Sequence, residues 1–183
     1  REGSANFTVS RIQYLNISDN PDLSTGDIDF SICAWFYFNS KLGNMGIVSK
    51  DAPLGVDREY TLHYNVGDDR LYFRVTNATD AWNASRIATT FGSPPTTTWI
   101  FACAWHDSIG DTVNIQVNDG GVDSTAYSGG VRDGTSAFQL GRQGGVSWLD
   151  GRIDEVGFWK RVLTQKERRI LYNGTNESSN NYL

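Results

Sequence analysis

Apolar and polar side chains alternate with a period of two along several stretches, the spacing of a strand with one face in a core. In residues 60–66, Tyr60, Leu62, Tyr64 and Val66 are apolar, whereas Thr61, His63 and Asn65 are polar. Gly67-Asp68-Asp69 supplies a turn, after which Leu71, Phe73 and Val75 alternate with Tyr72, Arg74 and Thr76; the pair predicts a hairpin. Val113, Ile115 and Val117 alternate with Asn114, Gln116 and Asn118, and Asn118-Asp119-Gly120-Gly121 can supply the positive φ of a tight turn. Two runs, Phe30-Ser31-Ile32-Cys33-Ala34-Trp35-Phe36-Tyr37-Phe38 and Trp99-Ile100-Phe101-Ala102-Cys103-Ala104-Trp105, are nearly apolar throughout. They predict central strands covered on both faces, with loops packed over the outer side. One helix is expected. Thr164-Gln165-Lys166-Glu167 forms a capping box, Arg168 to Tyr172 continue it, and Asn173-Gly174 can end it.

Composition agrees with the pattern. Aromatic residues make up 13% of 183, there are 19 Gly and one Met, and short apolar runs alternate with polar turn clusters, as in an all-β sandwich. The length fits one domain, placed at residues 1–176, with 177–183 as a polar tail. The net charge of -5 argues against nucleic-acid binding or an anionic-membrane surface. No apolar run reaches a membrane span and no signal-peptide pattern is evident. The first residue is Arg1, so the chain is expected to be processed, trimmed or cut from something longer.

The two cysteines, Cys33 and Cys103, lie 70 residues apart in the middle of the two apolar runs. Too few for zinc and too far apart for a redox motif, they are either buried thiols or one cross-strand disulfide, and a bond implies an oxidising compartment. Asn-x-Ser/Thr sequons stand at Asn6, Asn16, Asn77, Asn83, Asn173 and Asn176, open either to glycans or to a plain Asn- and Thr-rich surface.

Taken in order, several segments resemble the laminin-G-like and pentraxin-like branch of the concanavalin-A-like lectin/glucanase superfamily. Residues 30–36 are similar to its "FTISAW" strand, and Gly46-Ile47-Val48-Ser49-Lys50 precedes the first hairpin. Residues 98–103 are similar to "WHHVA", and 113–120 to "LYVDG". Gly151-Arg152-Ile153-Asp154-Glu155-Val156-Gly157-Phe158-Trp159, with Val162-Leu163-Thr164 and Glu167, is similar to the closing "G-x-IDEV" segment. The resemblance implies a two-sheet antiparallel jelly-roll sandwich of six or seven strands per sheet with one short C-terminal helix. It also implies a Cys33–Cys103 disulfide, because pentraxins bond cysteines in these strands. The pentraxin two-calcium site does not carry over, since Leu140-Gly141 leads into Arg142-Gln143-Gly144-Gly145 without an acid.

Glycosidases of this fold place acids in a Glu-x-Asp-x-Glu strand, but here Arg152, Val156 and Gly157 stand at the outer positions. Asp154 and Glu155 are adjacent, and in a regular strand they point to opposite faces. Neither His63 nor His106 has a suitable nucleophile implied nearby, and His63 is expected on the polar side of its strand. No enzyme activity is expected. Jelly rolls of this group often hold a structural Ca²⁺, which the resemblance assigns to Asp154 with Asp19 and Asn20 of an oxygen-rich loop. Sugar platforms are expected at Trp82 and Trp148, which sit in polar or Gly-rich surroundings, with Asn83, Arg86 and Asp150 as hydrogen-bonding groups. The other tryptophans match core positions, except Trp105, whose place is open. The resulting expectation is a non-catalytic, extracellular carbohydrate-binding or adhesion module that binds a glycan. The rival is a structural or decoration subunit of a virion, filament or cell surface, with its loop tryptophans buried against protein neighbours.

Overall fold

The computed structural model describes residues 3–52, 57–79 and 82–174, apart from the side chains of Trp82 and Asn83. Among them, two six-stranded antiparallel sheets face each other. The first orders β1 (Ala5–Phe7), β14 (Gly151–Trp159), β3 (Phe30–Phe38), β8 (Trp99–Asp107), β9 (Thr112–Val117) and β10 (Val122–Ala126). The second orders β2 (Leu15–Ile17), β11 (Phe138–Leu140), β4 (Met45–Lys50), β5 (Tyr60–Asn65), β6 (Arg70–Thr76) and β7 (Trp82–Ile87). A two-stranded hairpin, β12 (Arg142–Gln143) and β13 (Ser147–Trp148), forms a third, separate ladder. Helix α1 (Gln165–Asn173) follows β14. This is the jelly-roll sandwich the sequence leads one to expect; the polar tail at 177–183 lies outside the described residues.

The core fills the space between the sheets. Phe30, Ile32, Ala34, Phe36 and Phe38 of β3 meet Tyr60, Leu62 and Tyr64 of β5 and Leu71, Phe73 and Val75 of β6, all buried. Removing each large side chain from water contributes roughly 1.5–3 kcal/mol. Alternate residues of β3 and β8 face outward, and there Cys33 and Cys103 stand directly opposite each other and form the disulfide, with Cα atoms 4.1 Å apart. Around it Trp35, Phe101 and Leu163 form a second, smaller core with Trp159, Leu171 and Tyr172. The outer cover expected to be loops is therefore mostly α1 and the chain leading into it.

Helix α1 begins as the capping box requires. Thr164 accepts from the Glu167 N–H, and the Glu167 carboxylate accepts from the Thr164 N–H. Arg168 docks the helix. Its guanidinium lies 4.1 Å from the centroid of Trp105 and its Nε donates to Gln116 Oε1 at 2.7 Å, which places Trp105 under the helix. The polar face of β9 is thus covered too.

Two local geometries depart from simple alternation. The β9–β10 turn takes positive φ at Asn118 and Asp119, not at the glycines that follow. In β14 the register jumps between Asp154 and Gly157, so that Glu155 and Val156 together oppose Ala34. Glu155 has φ 48°, the bulge resets the alternation, and Val156 and Phe158 turn toward the main core.

Candidate functional site

The β12–β13 hairpin lies across the outer face of the second sheet. Gly144 and Gly145 have positive φ and reverse the chain, which sets Arg142 opposite Trp148. Gly46 of β4 makes the docking possible, since a Cβ there would stand 2.2 Å from the Arg142 carbonyl carbon. Ser49 Oγ donates to Arg142 O at 2.8 Å and fixes the position. The Arg142 guanidinium lies against both rings of a contacting pair, 4.6 Å from the centroid of Tyr14 and 4.8 Å from that of Trp148, whose centroids are 5.7 Å apart. Such cation–π contacts hold the half-buried indole in one orientation.

Beside this indole opens a cleft of about 430 Å³, lined among others by Ser40, Leu42, Asn44, Val146, Trp148 and Asp150. Leu42 is 92% and Val146 80% exposed, so the rim is apolar and wet. Asp150 ties the cleft together: its Oδ2 accepts from Ser40 Oγ at 2.6 Å and its carbonyl accepts from Asn39 N at 2.9 Å. The neighbouring Lys41 is held away by Asp69, 2.6 Å from its Nζ; hydrogen bonds from Lys41 and then Ser93 bring the Asp69 carboxyl down to about 2.

The structure therefore joins Trp148 and Asp150 and separates them from the other expected ligand residues. Trp82 pairs with Thr76 at the end of the second sheet where Lys50 and Tyr60 lie, whereas the cleft sits at the Met45 end. The side chains of Trp82 and Asn83 lie outside the described residues. Arg86 lies in edge strand β7. It reaches from β7 to Asp123 of β10, 3.2 Å away, and clasps the two sheets at their edge. Burial works to raise the Asp123 pKa, but hydrogen bonds from Thr89, Thr90 and Arg86 bring it below the ordinary carboxylate value. Tyr14, Arg142, Ser40, Leu42 and Asn44 were not foreseen. The Gly144-Gly145 pair was the available signal for Arg142, since a hairpin turn there sets it against Trp148.

The residues expected to hold Ca²⁺ do not fit such a site. Asp19 Oδ1 lies 2.8 Å from the Lys50 ammonium, and Asn20 Oδ1 accepts from the Asp22 N–H. Asp154 pairs with Trp35 on the first sheet, and its Oδ1 accepts from the Glu155 N–H. The Asp19 loop meets β14 only beyond its end, where Lys160 donates to Pro21 O, six residues past Asp154 and roughly 15–20 Å along the strand. Among the described residues no group of three or more His, Cys, Asp or Glu is placed to hold a metal ion. His63, expected on a polar face, is on that face but buried, stacked on Tyr72; burial and then the Arg74 charge lower its pKa to about 3.

The fold recurs in structures of low sequence similarity. A Bacteroides ovatus protein provisionally described as carbohydrate-binding matches with a TM-score of 0.68 and 18% identity over 90% of this chain and 45% of its own. The botulinum neurotoxin serotype G binding domain matches at 0.67 and 14%, over 92% and 41%. Domain 4 of AbnA, a GH43 extracellular arabinanase from Geobacillus stearothermophilus solved with arabinotriose, matches at 0.63 and 16%, over 92% and 76%. This chain spans less than half the length of the first two. No curated protein matches significantly in sequence. Residues 10–167 match the laminin G type 3 profile, and the chain belongs to the concanavalin A-like lectin/glucanases superfamily.

Proposed function

We propose that this domain is a non-catalytic, extracellular carbohydrate-binding module that takes a sugar in the cleft beside Trp148. The observation that carries the reading is the indole itself, fixed by Arg142 at the edge of a cleft that also holds Ser40, Asn44 and Asp150. A rigid aromatic face next to a few polar groups suits the apolar face of a pyranose or furanose ring and its hydroxyls. The carbohydrate-binding description of the Bacteroides ovatus protein and the arabinotriose bound to AbnA domain 4 support the class of ligand. The disulfide supports an extracellular setting, because such bonds persist in oxidising compartments. Arg152, Val156 and Gly157 stand where the glycosidase strand of this fold carries its outer glutamates, which supports a binding role over a glycosidase one.

The test is a glycan array with arabino-oligosaccharides among the probes, run on the wild type and on Trp148→Ala. Loss of stacking is expected to weaken binding about tenfold or more, close to 1.4 kcal/mol. Undiminished binding by Trp148→Ala overturns this site. Binding is expected to survive EDTA.

One observation favours the rival reading, a subunit that binds protein neighbours. Edge strand β2 exposes Leu15 and Ile17, each about half accessible, beside exposed Ile12 and Val9. A stable oligomer by solution mass, lost in Leu15→Lys, together with no glycan binding, would favour it.

A further inference from the structure

At the opposite end of the second sheet from the cleft, Lys50 and Glu59 are fully buried, with no exposed surface on either side chain. The Lys50 Nζ contacts the Glu59 carboxylate, lies 2.8 Å from Asp19 Oδ1, and donates to Gly134 O at 2.7 Å. Asp19 is about a third exposed and also accepts from Ser24 Oγ at 3.2 Å. Glu59 accepts from Thr25 N and Thr25 Oγ1 at 3.1 Å and from Gly134 N at 2.9 Å. Three donors other than the lysine therefore hold Glu59 in place.

An amine, a carboxyl group that it touches, and a second, buried carboxyl group on the same nitrogen are the parts needed to join side chains as an amide. We propose that Lys50 and Asp19 condense to an intramolecular isopeptide bond, with Glu59 carrying the proton. Glu59 takes a proton from the Lys50 ammonium, and the freed amine attacks Asp19 Cγ. The C–N bond forms, and one Asp19 oxygen leaves as water. Of the three ammonium protons, one stays on the amide nitrogen and two leave with that oxygen, one of them relayed by Glu59, which ends unchanged. No oxidant or further reactant is consumed.

Two physical arguments favour the step here. Nitrogen and carboxylate are held at contact distance, which removes the entropic cost of bringing the two groups together. The condensation also turns a charged pair, one member of which is wholly buried, into a neutral amide and so relieves its desolvation cost. Burial pushes the Glu59 carboxyl above its usual value even against the adjacent lysine, as a proton carrier requires. Gly134 O and Glu59 remain as acceptors for the single amide N–H.

Intact mass of the denatured, disulfide-reduced protein tests this directly, because an ion pair does not survive denaturation and an amide does. A mass one water below that of the sequence, with a fragment joining the Lys50 and Asp19 peptides, is the expected result. Asp19→Ala should carry its full mass. Asp19→Asn should still cross-link, but lose ammonia in place of water. Because Asp19 lies at the surface, both variants should keep the fold, which the intact Cys33–Cys103 bond and a native circular dichroism spectrum verify. Glu59→Gln should fold and stay at full mass. Wild-type protein at full mass overturns the proposal, as does a cross-link from Lys50 to Glu59. Unchanged cross-linking in Glu59→Gln removes Glu59 from the step.

Discussion

The two sheets turn their backs to different things. The outer face of the first carries the disulfide with Trp35, Phe101 and Leu163, and α1 closes over it as a dry second core. The outer face of the second carries Ser49, Thr61, His63 and Arg74, and over its strand β4 lies a hairpin held by backbone contact at Gly46 and one hydroxyl. An apolar back must be sealed by the protein's own chain, whereas a polar back can be roofed lightly. The candidate site lies at the edge of the light roof. What differs is the chemistry of the side chains that alternate outward.

The largest test of the sealed side is Cys33→Ser with Cys103→Ser. By loop-closure entropy over a loop of about 70 residues, the pair should cost roughly 4 kcal/mol, read by urea denaturation. A smaller loss would mean that α1 holds the second core without the bond. The polar side should give way to acid first. His63 has a folded pKa of about 3 against 6.5 unfolded, so below about pH 6.5 the unfolded chain takes up a proton that the folded one refuses. Stability should fall as pH drops from 6.5 toward 3, by up to a few kcal/mol. His63→Phe, compared with wild type across that range, should flatten the dependence.

The roof can be lifted by Gly46→Val. A side chain there collides with the backbone of Arg142, which should cost roughly 1–3 kcal/mol in overpacking and displace Trp148. Tryptophan fluorescence and loss of glycan binding, with α1 unaffected by circular dichroism, would separate the two faces. The smallest effect belongs to the surface of α1. Hydrogen bonds from Arg161 and then Thr164 bring the Glu167 carboxyl down to about 2, so its support is present above about pH 4.5 and lost as pH falls through 2. Glu167→Gln should fray the first turn modestly at neutral pH and remove that acid transition.

Much of this contrast is legible in the chain. The run from Phe30 to Phe38 announces a strand buried on both faces because its outward residues, Cys33 and Trp35, are as apolar as its inward ones. The capping box at Thr164 is equally plain, being local. The identity of the cover is not, since α1 reaches β3 only across a long stretch of chain. His63 reads as a surface residue because alternation reports which face a side chain takes and says nothing about what lies over that face. The same limit divides the site. Trp148 is visible as an aromatic in a glycine-rich loop, whereas Ser40 and Asn44 join it from about a hundred residues away. The Lys50–Glu59–Asp19 cluster is hidden for a related reason: a lysine ending an apolar run looks like a strand end until its partners arrive from two other segments.

The seal over the first sheet makes the disulfide a timekeeper. Cys33 and Cys103 are each only 1% accessible, and thiol exchange needs an external thiolate in line with a sulfur. That attack must wait until α1 and its neighbours part, an event of local opening. The rate at which a mild reductant consumes the bond would then report how often the helix lifts from the domain, with no label attached.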